Sequence, residues 1–239
     1  MKWASNNDFY ASTAKYRVPY RSGATQTMIK TRRLRRRANS FQKKLMQAQP
    51  AKHYSNSSTT ALLHNGIYTC IPTAGITQGD SNSNRTGDYV HLAAIKIKGF
   101  FETATTDAGY SYRILIGYTG EEYNLPTVLQ NTGLTSTELF IPNTPANWIV
   151  NGQINPKAFT AIYDETIDLN SIIPGVKELK SYAFTVQLDK RFPYQSDGGI
   201  YGKNSNLAIV VLSSISGGST GITSAGSTVL GYDLIFKDL

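Results

Sequence analysis

The sequence predicts an all-β protein, an antiparallel sandwich or barrel that follows a basic N-terminal arm. Three observations support this prediction. Polar and apolar residues alternate with a period of two in several segments after residue 60. Clusters of Gly, Pro, Asn and Asp separate these segments, with no convincing helix between them, which is typical of antiparallel sheets. Basic residues are concentrated before residue 60, which distinguishes an arm from a body.

The charge of the chain differs strongly between its two parts. The first sixty residues carry thirteen Lys and Arg and one acid, Asp8, whereas the remaining 179 carry eleven basic residues and fifteen acids. The densest stretch, residues 30–37, has six charges, five of them from arginine, whose planar guanidinium suits phosphate oxygens. We therefore predict that the arm binds nucleic acid through its basic residues. The predicted binding residues are Lys15, Arg17, Arg21, Lys30, Arg32, Arg33, Arg35, Arg36, Arg37, Lys43 and Lys44.

The arm itself divides into three predicted parts. Residues 1–26 show no periodicity and are expected to be disordered until they bind. Residues 27–49 carry a narrow apolar stripe at intervals of three and four, which predicts either a helix that ends before Pro50 or a solvated basic tail. Residues 51–60 are predicted to form a linker. The expected division is therefore an arm over residues 1–60 and a folded domain over residues 61–239.

Seven or eight strands are predicted in the body. Residues 110–119, 181–188 and 228–236 alternate strictly, so each is expected to pack one face on a core. The segment Leu207–Leu212 is apolar on both faces, which predicts a strand that is covered twice, with a neighbouring subunit as one candidate for the second cover. The other predicted strands are Leu62–Ile71, Tyr89–Thr103 and Lys157–Leu169.

A turn-rich connection, residues 76–90, leads into one of the long strands. Gly79 and Gly87 permit positive φ angles, and Asp80 suits a turn. Arg85 is the only basic residue between Lys52 and Lys96, so it is predicted to pair with the nearby acids and to order the loop. The residues of this predicted structural motif are Gln78, Gly79, Asp80, Arg85, Gly87 and Asp88.

This connection carries a resemblance to a known family. Gln78-Gly79, then Arg85-Thr86-Gly87-Asp88, then a strand of the form Val-x-Leu-x-x-Ile-x-Ile-x-Gly resembles the capsid proteins of circovirus-like viruses, which have circular single-stranded DNA genomes and encode a replication protein. Residues 159–165, 188–192 and 203–207 are similar to further elements of those capsids, as is the position of the arginine-rich arm. One departure is that the arginine tract begins only near residue 30, after a mixed leader.

The resemblance implies an eight-stranded antiparallel jelly roll, which is a two-sheet Greek-key sandwich. It also implies that the chain self-assembles into a 60-subunit, T=1 icosahedral shell and packages circular single-stranded DNA through the arm. The implied partners are other copies of the chain and the genome, with a host import receptor and a host surface receptor or glycan as further candidates. The implied locations are the virion and, during assembly, the host nucleus.

The sequence offers little support for catalysis or for metal binding. It contains no nucleophile-elbow motif, no phosphate-binding loop before a helix, and a single cysteine, Cys70. The acidic clusters at residues 121–122 and 164–168 fit solvated carboxylates better than a cation site. No apolar run of about 18 residues exists, and the N-terminus lacks the apolar stretch of a signal peptide. We expect a soluble, intracellular, non-enzymatic protein that has no cofactor, no metal site and no membrane partner.

Other functions remain open at this stage. A nuclear shuttle or movement protein with a β-sandwich body would have the same arm but would stay monomeric or form a small oligomer. The arginine tract also fits a nuclear-import signal, and Tyr16 and Tyr20 fit either stacking on unpaired bases or ordinary arm residues. A carbohydrate-binding sandwich would need an exposed aromatic platform, for which Trp148 is the one candidate.

Overall fold

A computed structural model describes residues 48–104, 108–120, 139–141, 150–170, 175–195, 198–216 and 224–239. The chain divides into two compact units, Met1–Gln49 and Pro50–Leu239. The predicted disordered leader and nearly all of the predicted helix or tail over residues 27–49 lie outside the described residues. The second unit contains the whole of the fold that follows.

Eight strands and one short 3-10 helix form this second unit within its described residues. The 3-10 helix, Pro72–Gly75, lies between the second and third strands. Over the described part of the chain, no helix is long and apolar enough to cross a bilayer. The strands are β1 (Lys52–Leu63), β2 (Gly66–Cys70), β3 (Tyr89–Glu102), β4 (Gly109–Thr119), β5 (Phe159–Asn170), β6 (Leu179–Pro193), β7 (Leu207–Ser216) and β8 (Ser224–Asp238).

The strands form two antiparallel sheets of four. Sheet 1 has the order β1-β8-β3-β6 and sheet 2 the order β2-β7-β4-β5. The chain is thus rolled up so that β1 pairs with β8, β2 with β7, β3 with β6 and β4 with β5. This pairing is that of a jelly roll, the eight-stranded double-sheet arrangement of two Greek keys. The predicted fold class is confirmed.

Alternating side chains build the core between the two sheets. The even-numbered residues of β4 from Tyr110 to Tyr118 are buried against sheet 1, and the even-numbered residues of β8 from Leu230 to Phe236 are buried against sheet 2. Aromatic rings join the sheets: Phe101 stacks on Tyr112 with ring centroids 4.4 Å apart. The predicted period of two is therefore confirmed, because one face of each strand fills a shared apolar layer.

Strand β7 is buried on both faces, as predicted. Ile209 and Val211 face the core between the sheets, whereas Val210 and Leu212 face a second cluster on the outer side of sheet 2. The residues that cover this outer side belong to the same chain, so the cover proposed from a neighbouring subunit is instead intramolecular. The covering residues are Leu139, Phe140, Val150, Ala158 and Phe159.

The start of the fold differs from the prediction. Residues 52–60, which the sequence assigns to a linker within the arm, belong to β1, and they pair continuously with β8 from Lys52↔Phe236 onward. The predicted strand over residues 62–71 is interrupted at His64-Asn65, where Asn65 has a φ of 55° and the chain passes from sheet 1 to sheet 2. Because β1 is an edge strand with a polar outer face, its Ser- and Thr-rich sequence resembles that of a linker.

Glycine at position 99 is required by the packing of sheet 1. A Cβ at Gly99 would overlap the carbonyl oxygen of Val229 and also meet the Tyr182 hydroxyl at 2.7 Å. We expect Gly99→Ala to destabilise the fold by about 2–3 kcal/mol, since overpacking forces backbone shifts. Urea unfolding followed by circular dichroism measures this. Gly87→Ala is the matched control because its Cβ would approach only the Leu239 oxygen, at 3.8 Å; equal losses for the two variants would contradict the steric argument.

Candidate functional site

The predicted nucleic-acid residues of the arm all lie outside the described residues. They therefore stay predictions, as do Tyr16 and Tyr20. Trp148 and the acidic pair at residues 121–122 also lie outside the described residues. The described site begins where the arm ends, at the first residues of β1 and the loop over residues 76–90.

Backbone hydrogen bonds close the loop onto itself. The Arg85 amide donates to the Thr77 carbonyl at 2.9 Å, and the Gly79 amide donates to the Arg85 carbonyl at 2.9 Å. Gly79 has a φ of 154°, which side chains rarely adopt, so the prediction for this glycine is confirmed. Gly87 is not among the described glycines with positive φ, so that part of the prediction is wrong. Its role is instead that of an acceptor through its carbonyl oxygen.

Arg85 is completely buried at the base of this loop. Its Nη1 donates to the Gly87 carbonyl, and its Nη2 donates to the Gly199 carbonyl at 2.7 Å. The guanidinium also lies over the Tyr194 ring, 4.0 Å from the centroid. Through these contacts Arg85 joins the loop over residues 76–90 to the segment around Gly199, 114 residues further along the chain.

The ion pairs predicted for Arg85 are confirmed in one case and wrong in the other. Nη1 lies 3.5 Å from Oδ1 of Asp88, whose side chain is 44% exposed. Among the described residues Asp80 forms no ion pair with Arg85; it lies exposed at the turn beyond Gly79. The physical reason is that the half-buried main-chain carbonyls of Gly87 and Gly199 accept the hydrogen bonds of both terminal guanidinium nitrogens, so the nearby carboxylates contribute less.

The Tyr194 hydroxyl links this arrangement to the rest of the fold. It donates to the carbonyl of Thr73 in the 3-10 helix at 3.1 Å. Burial raises the pKa of Tyr194 well above its ordinary value, although the nearby Arg85 charge acts in the opposite direction. The phenol is therefore protonated at any physiological pH and remains a hydrogen-bond donor.

Lys52, the first residue of β1, connects three segments of the body. Its ammonium group donates to the Asn84 carbonyl at 2.8 Å and pairs with Asp238 at 2.7 Å. Asp238 also accepts a hydrogen bond from the Thr86 amide at 3.2 Å. The first residue of β1, the Arg85 loop and the end of β8 are therefore held together, and Lys52 acts as a structural anchor within the body.

The acidic residues of β5 have protein partners. Asp164 receives two hydrogen bonds of 2.7 Å from the guanidinium of Arg113, and Asp168 accepts from the Ser111 hydroxyl at 2.6 Å. Glu165 accepts a hydrogen bond from the Tyr163 hydroxyl. All three acids are exposed on the edge strand β5, as predicted for solvated strand-edge carboxylates, and these contacts show which neighbouring side chains they bind. In the described ranges, no group of three or more potential ligands is arranged to hold a metal ion.

Arg113 is a structural residue that the sequence analysis did not single out. Besides pairing with Asp164, its Nη1 donates to the carbonyls of Val150 and Gly152 at 2.9 and 2.7 Å. It therefore fastens the covering segment onto the outer side of sheet 2. The signal in the sequence is a lone arginine within an otherwise uncharged strand, and its partners lie 37–51 residues away.

Comparisons with known proteins give similarity in structure alone. No family model matches this sequence, and no curated protein matches it. Among solved structures, that of Desmodium yellow mottle tymovirus is 9% identical, with a TM-score of 0.34, over 78% of this chain and 81% of that chain. An empty-head turnip yellow mosaic virus structure is 5% identical, with a TM-score of 0.36, over 80% of this chain and 82% of that chain. The Broad Bean Stain Virus structure is 12% identical, with a TM-score of 0.33, over 78% of this chain and 86% of that chain.

Proposed function

We propose that this protein is a viral capsid protein: its jelly-roll body forms a small icosahedral shell, and its arm packages nucleic acid. The observation that carries the proposal is the charge division across a jelly roll. The 51 residues before β1 hold twelve basic residues and one acid, while residues 52–239 hold twelve basic residues and fifteen acids. Such a chain can bind a polyanion with its arm, while the net negative charge of its body opposes unspecific condensation over the whole surface.

The exposed apolar residues of the body are suited to contacts between copies. Leu63 at the end of β1 is 60% exposed, Val176 in the segment before β6 is 52% exposed, and Leu179 at the start of β6 is 56% exposed. Within the described residues, each sheet also has two edge strands that pair with another strand on one side only, and such edges need to be covered. Self-association would cover both kinds of surface, which is what shell formation requires.

The proposed mechanism is charge neutralisation and shape, without catalysis. Arginine contacts to phosphate release counterions and carry no sequence information, so packaging is expected to be sequence-independent and sensitive to salt. The finer parts of the proposal follow from the resemblance given above. They are a T=1 shell of 60 copies, circular single-stranded DNA as cargo, and assembly in the host nucleus.

Particle size tests the proposal. We expect the purified full-length chain to form uniform shells of megadalton mass, which negative-stain electron microscopy and light scattering detect. A nuclear shuttle or movement protein would instead run near the 26.2 kDa of one chain or as a small oligomer. A small species at physiological salt, with and without added single-stranded DNA, would contradict the capsid function and leave the jelly roll as a fold with another use.

A further inference from the structure

Sheet 1 carries an open groove on its outer face. The groove has a volume of about 720 Å³ and is lined by residues from all four strands of the sheet and by no residue of sheet 2. It therefore lies on the side of sheet 1 that points away from the core. Its lining includes the polar residues Ser55, Ser57, Lys96, Lys98, Thr185 and Asp233.

Two lysines stand at the centre of this groove. Ile95 and Ile97 of β3 are buried in the core, so the alternating residues Lys96 and Lys98 point outward, and both are exposed. Strand β3 lies between β8 and β6, which places the two side chains in the middle of the face and away from its edges. Two positions along a strand are about 6.7 Å apart, comparable with the separation of successive phosphates in a nucleic-acid strand.

Neither lysine has an anionic partner within the described part of the chain. Lys96 is opposite Asp233 in the register of β3 and β8, but the ion pairs of the described residues include none between them. The Asp233 carboxylate instead accepts a hydrogen bond of 2.9 Å from Ser55 and lies 3.1 Å from the His53 ring. Other lysines are paired, as Lys177 is with Glu102 at 3.1 Å. Among the described residues, the groove therefore holds two lysines outside any ion pair, together with hydroxyl donors and one carboxylate, Asp233.

We infer that this groove binds phosphate groups of single-stranded nucleic acid, as a second contact besides the arm. The ammonium groups of Lys96 and Lys98 each neutralise one phosphate, and the hydroxyls of Ser57 and Thr185 line the same groove as hydrogen-bond donors. The identity of the polyanion rests on the proposed function. The inference that the groove binds an anion rests on the position and charge of these side chains.

Chain connectivity favours nucleic acid over another polyanion such as a sulfated glycan. Ser55 and Ser57 belong to β1, and only ten residues lie between Lys44, the last predicted binding residue of the arm, and Ser55. Nucleic acid held by the arm is thus tethered to the sheet that carries the groove, which raises its effective concentration there. The outer side of sheet 2 has the opposite character, because it presents Asp164 and Asp168 and its Arg113 is already paired.

The test compares two double variants of the full-length protein that have the same net charge. Lys96→Gln/Lys98→Gln removes the groove charges, and Lys157→Gln/Lys203→Gln removes two exposed charges from loops next to sheet 2. Binding to an unstructured oligothymidylate is measured by fluorescence anisotropy between about 50 and 200 mM salt. For the groove variant, we expect the slope of log K against log salt to decrease in magnitude by about 1.4, or about 0.7 for each lost phosphate contact. The control should retain the wild-type slope.

Further measurements separate the possible outcomes. Lys96→Arg/Lys98→Arg keeps both charges and should restore the slope. An unchanged slope for the Gln pair, or an equal decrease in the control, would overturn the inference. The inference would also be overturned if the Gln pair lost binding to a heparin oligosaccharide while its oligothymidylate slope stayed at the wild-type value. The groove would then be a glycan site.

Electron microscopy of the same proteins shows separately whether shells form. This distinguishes failure of the groove inference from failure of the proposed function. Shells with an unchanged slope would refute the groove alone, whereas an altered slope without shells would refute the capsid function alone. Circular dichroism checks that each variant is folded. If the double variant melts early, the single variants Lys96→Gln and Lys98→Gln replace it, with an expected slope change of about 0.7 each.

Discussion

Replacing Arg32, Arg33, Arg35, Arg36 and Arg37 together by Ala is expected to abolish nucleic-acid packaging while the jelly roll stays folded. The five guanidinium groups are the densest charge of the chain, and each is expected to neutralise one phosphate. Their loss should lower the magnitude of the salt slope for single-stranded DNA by about 3.5, which is about 0.7 per contact. The five arginines lie outside the unit Pro50–Leu239 that contains the jelly roll, so the free energy of unfolding of that unit should change by less than about 0.5 kcal/mol.

The measurement is the ratio of absorbance at 260 and 280 nm on purified particles, before and after nuclease treatment. A matched variant with five Arg→Lys changes keeps the charge and removes the planar fork, so it should retain most packaging because counterion release depends on charge. If the Ala variant still co-purified with nuclease-protected DNA at the wild-type amount, the assignment of packaging to these residues would be wrong. Urea unfolding of the same samples confirms that the body is intact.

Replacing Arg85 by Ala is expected to cost about 3–5 kcal/mol of folding stability, the largest effect that we expect from a single residue of the body. The change leaves the half-buried carbonyls of Gly87 and Gly199 without their donors, and each unsatisfied group costs about 1–3 kcal/mol. It also empties the space over the Tyr194 ring. Both losses act where two distant segments meet, so the loop over residues 76–90 should separate from the segment around Gly199.

Asp88→Asn distinguishes between the two explanations for the effect of Arg85. If the main-chain carbonyls dominate, this change should cost less than about 1 kcal/mol, since Asp88 is 44% exposed and lies 3.5 Å from Nη1. Arg85→Lys should recover only part of the stability, because an ammonium group does not reproduce the planar fork over Tyr194. Urea unfolding at low and high salt measures all three variants. Equal losses for Asp88→Asn and Arg85→Ala would show that the ion pair is the important contact.

Much of the fold can be predicted from the sequence because the period-two signal is local. A strand such as β4 or β8 shows its buried face in its own residues, since alternate side chains point to opposite sides of the sheet. For the same reason β7 can be recognised as buried twice from six consecutive apolar residues. The polar strand β1 was missed because its strand character depends on pairing with β8, whose partner residues lie more than 160 positions away.

The candidate site was predictable to a smaller extent. The lone Arg85 among turn residues correctly indicated an ordering contact, and its pairing with Asp88 follows from nearness in sequence. Its carbonyl partner at Gly199, its stacking on Tyr194 and the role of Arg113 depend on segments that meet only in the folded chain. Likewise, Lys96 and Lys98 are ordinary strand lysines until the four strands of sheet 1 are placed side by side.

The sequence by itself thus determined the all-β class, most strand positions and the division between a basic arm and an acidic body. Composition and alternation are properties of neighbouring residues and need no knowledge of the fold. Only the tertiary structure decided which strands pair, what covers the outer side of β7, and which carbonyl oxygens accept hydrogen bonds from the buried Arg85. The physical reason is that hydrogen bonds and packing contacts between distant segments have no local pattern, and they exist only once chain folding brings those segments together.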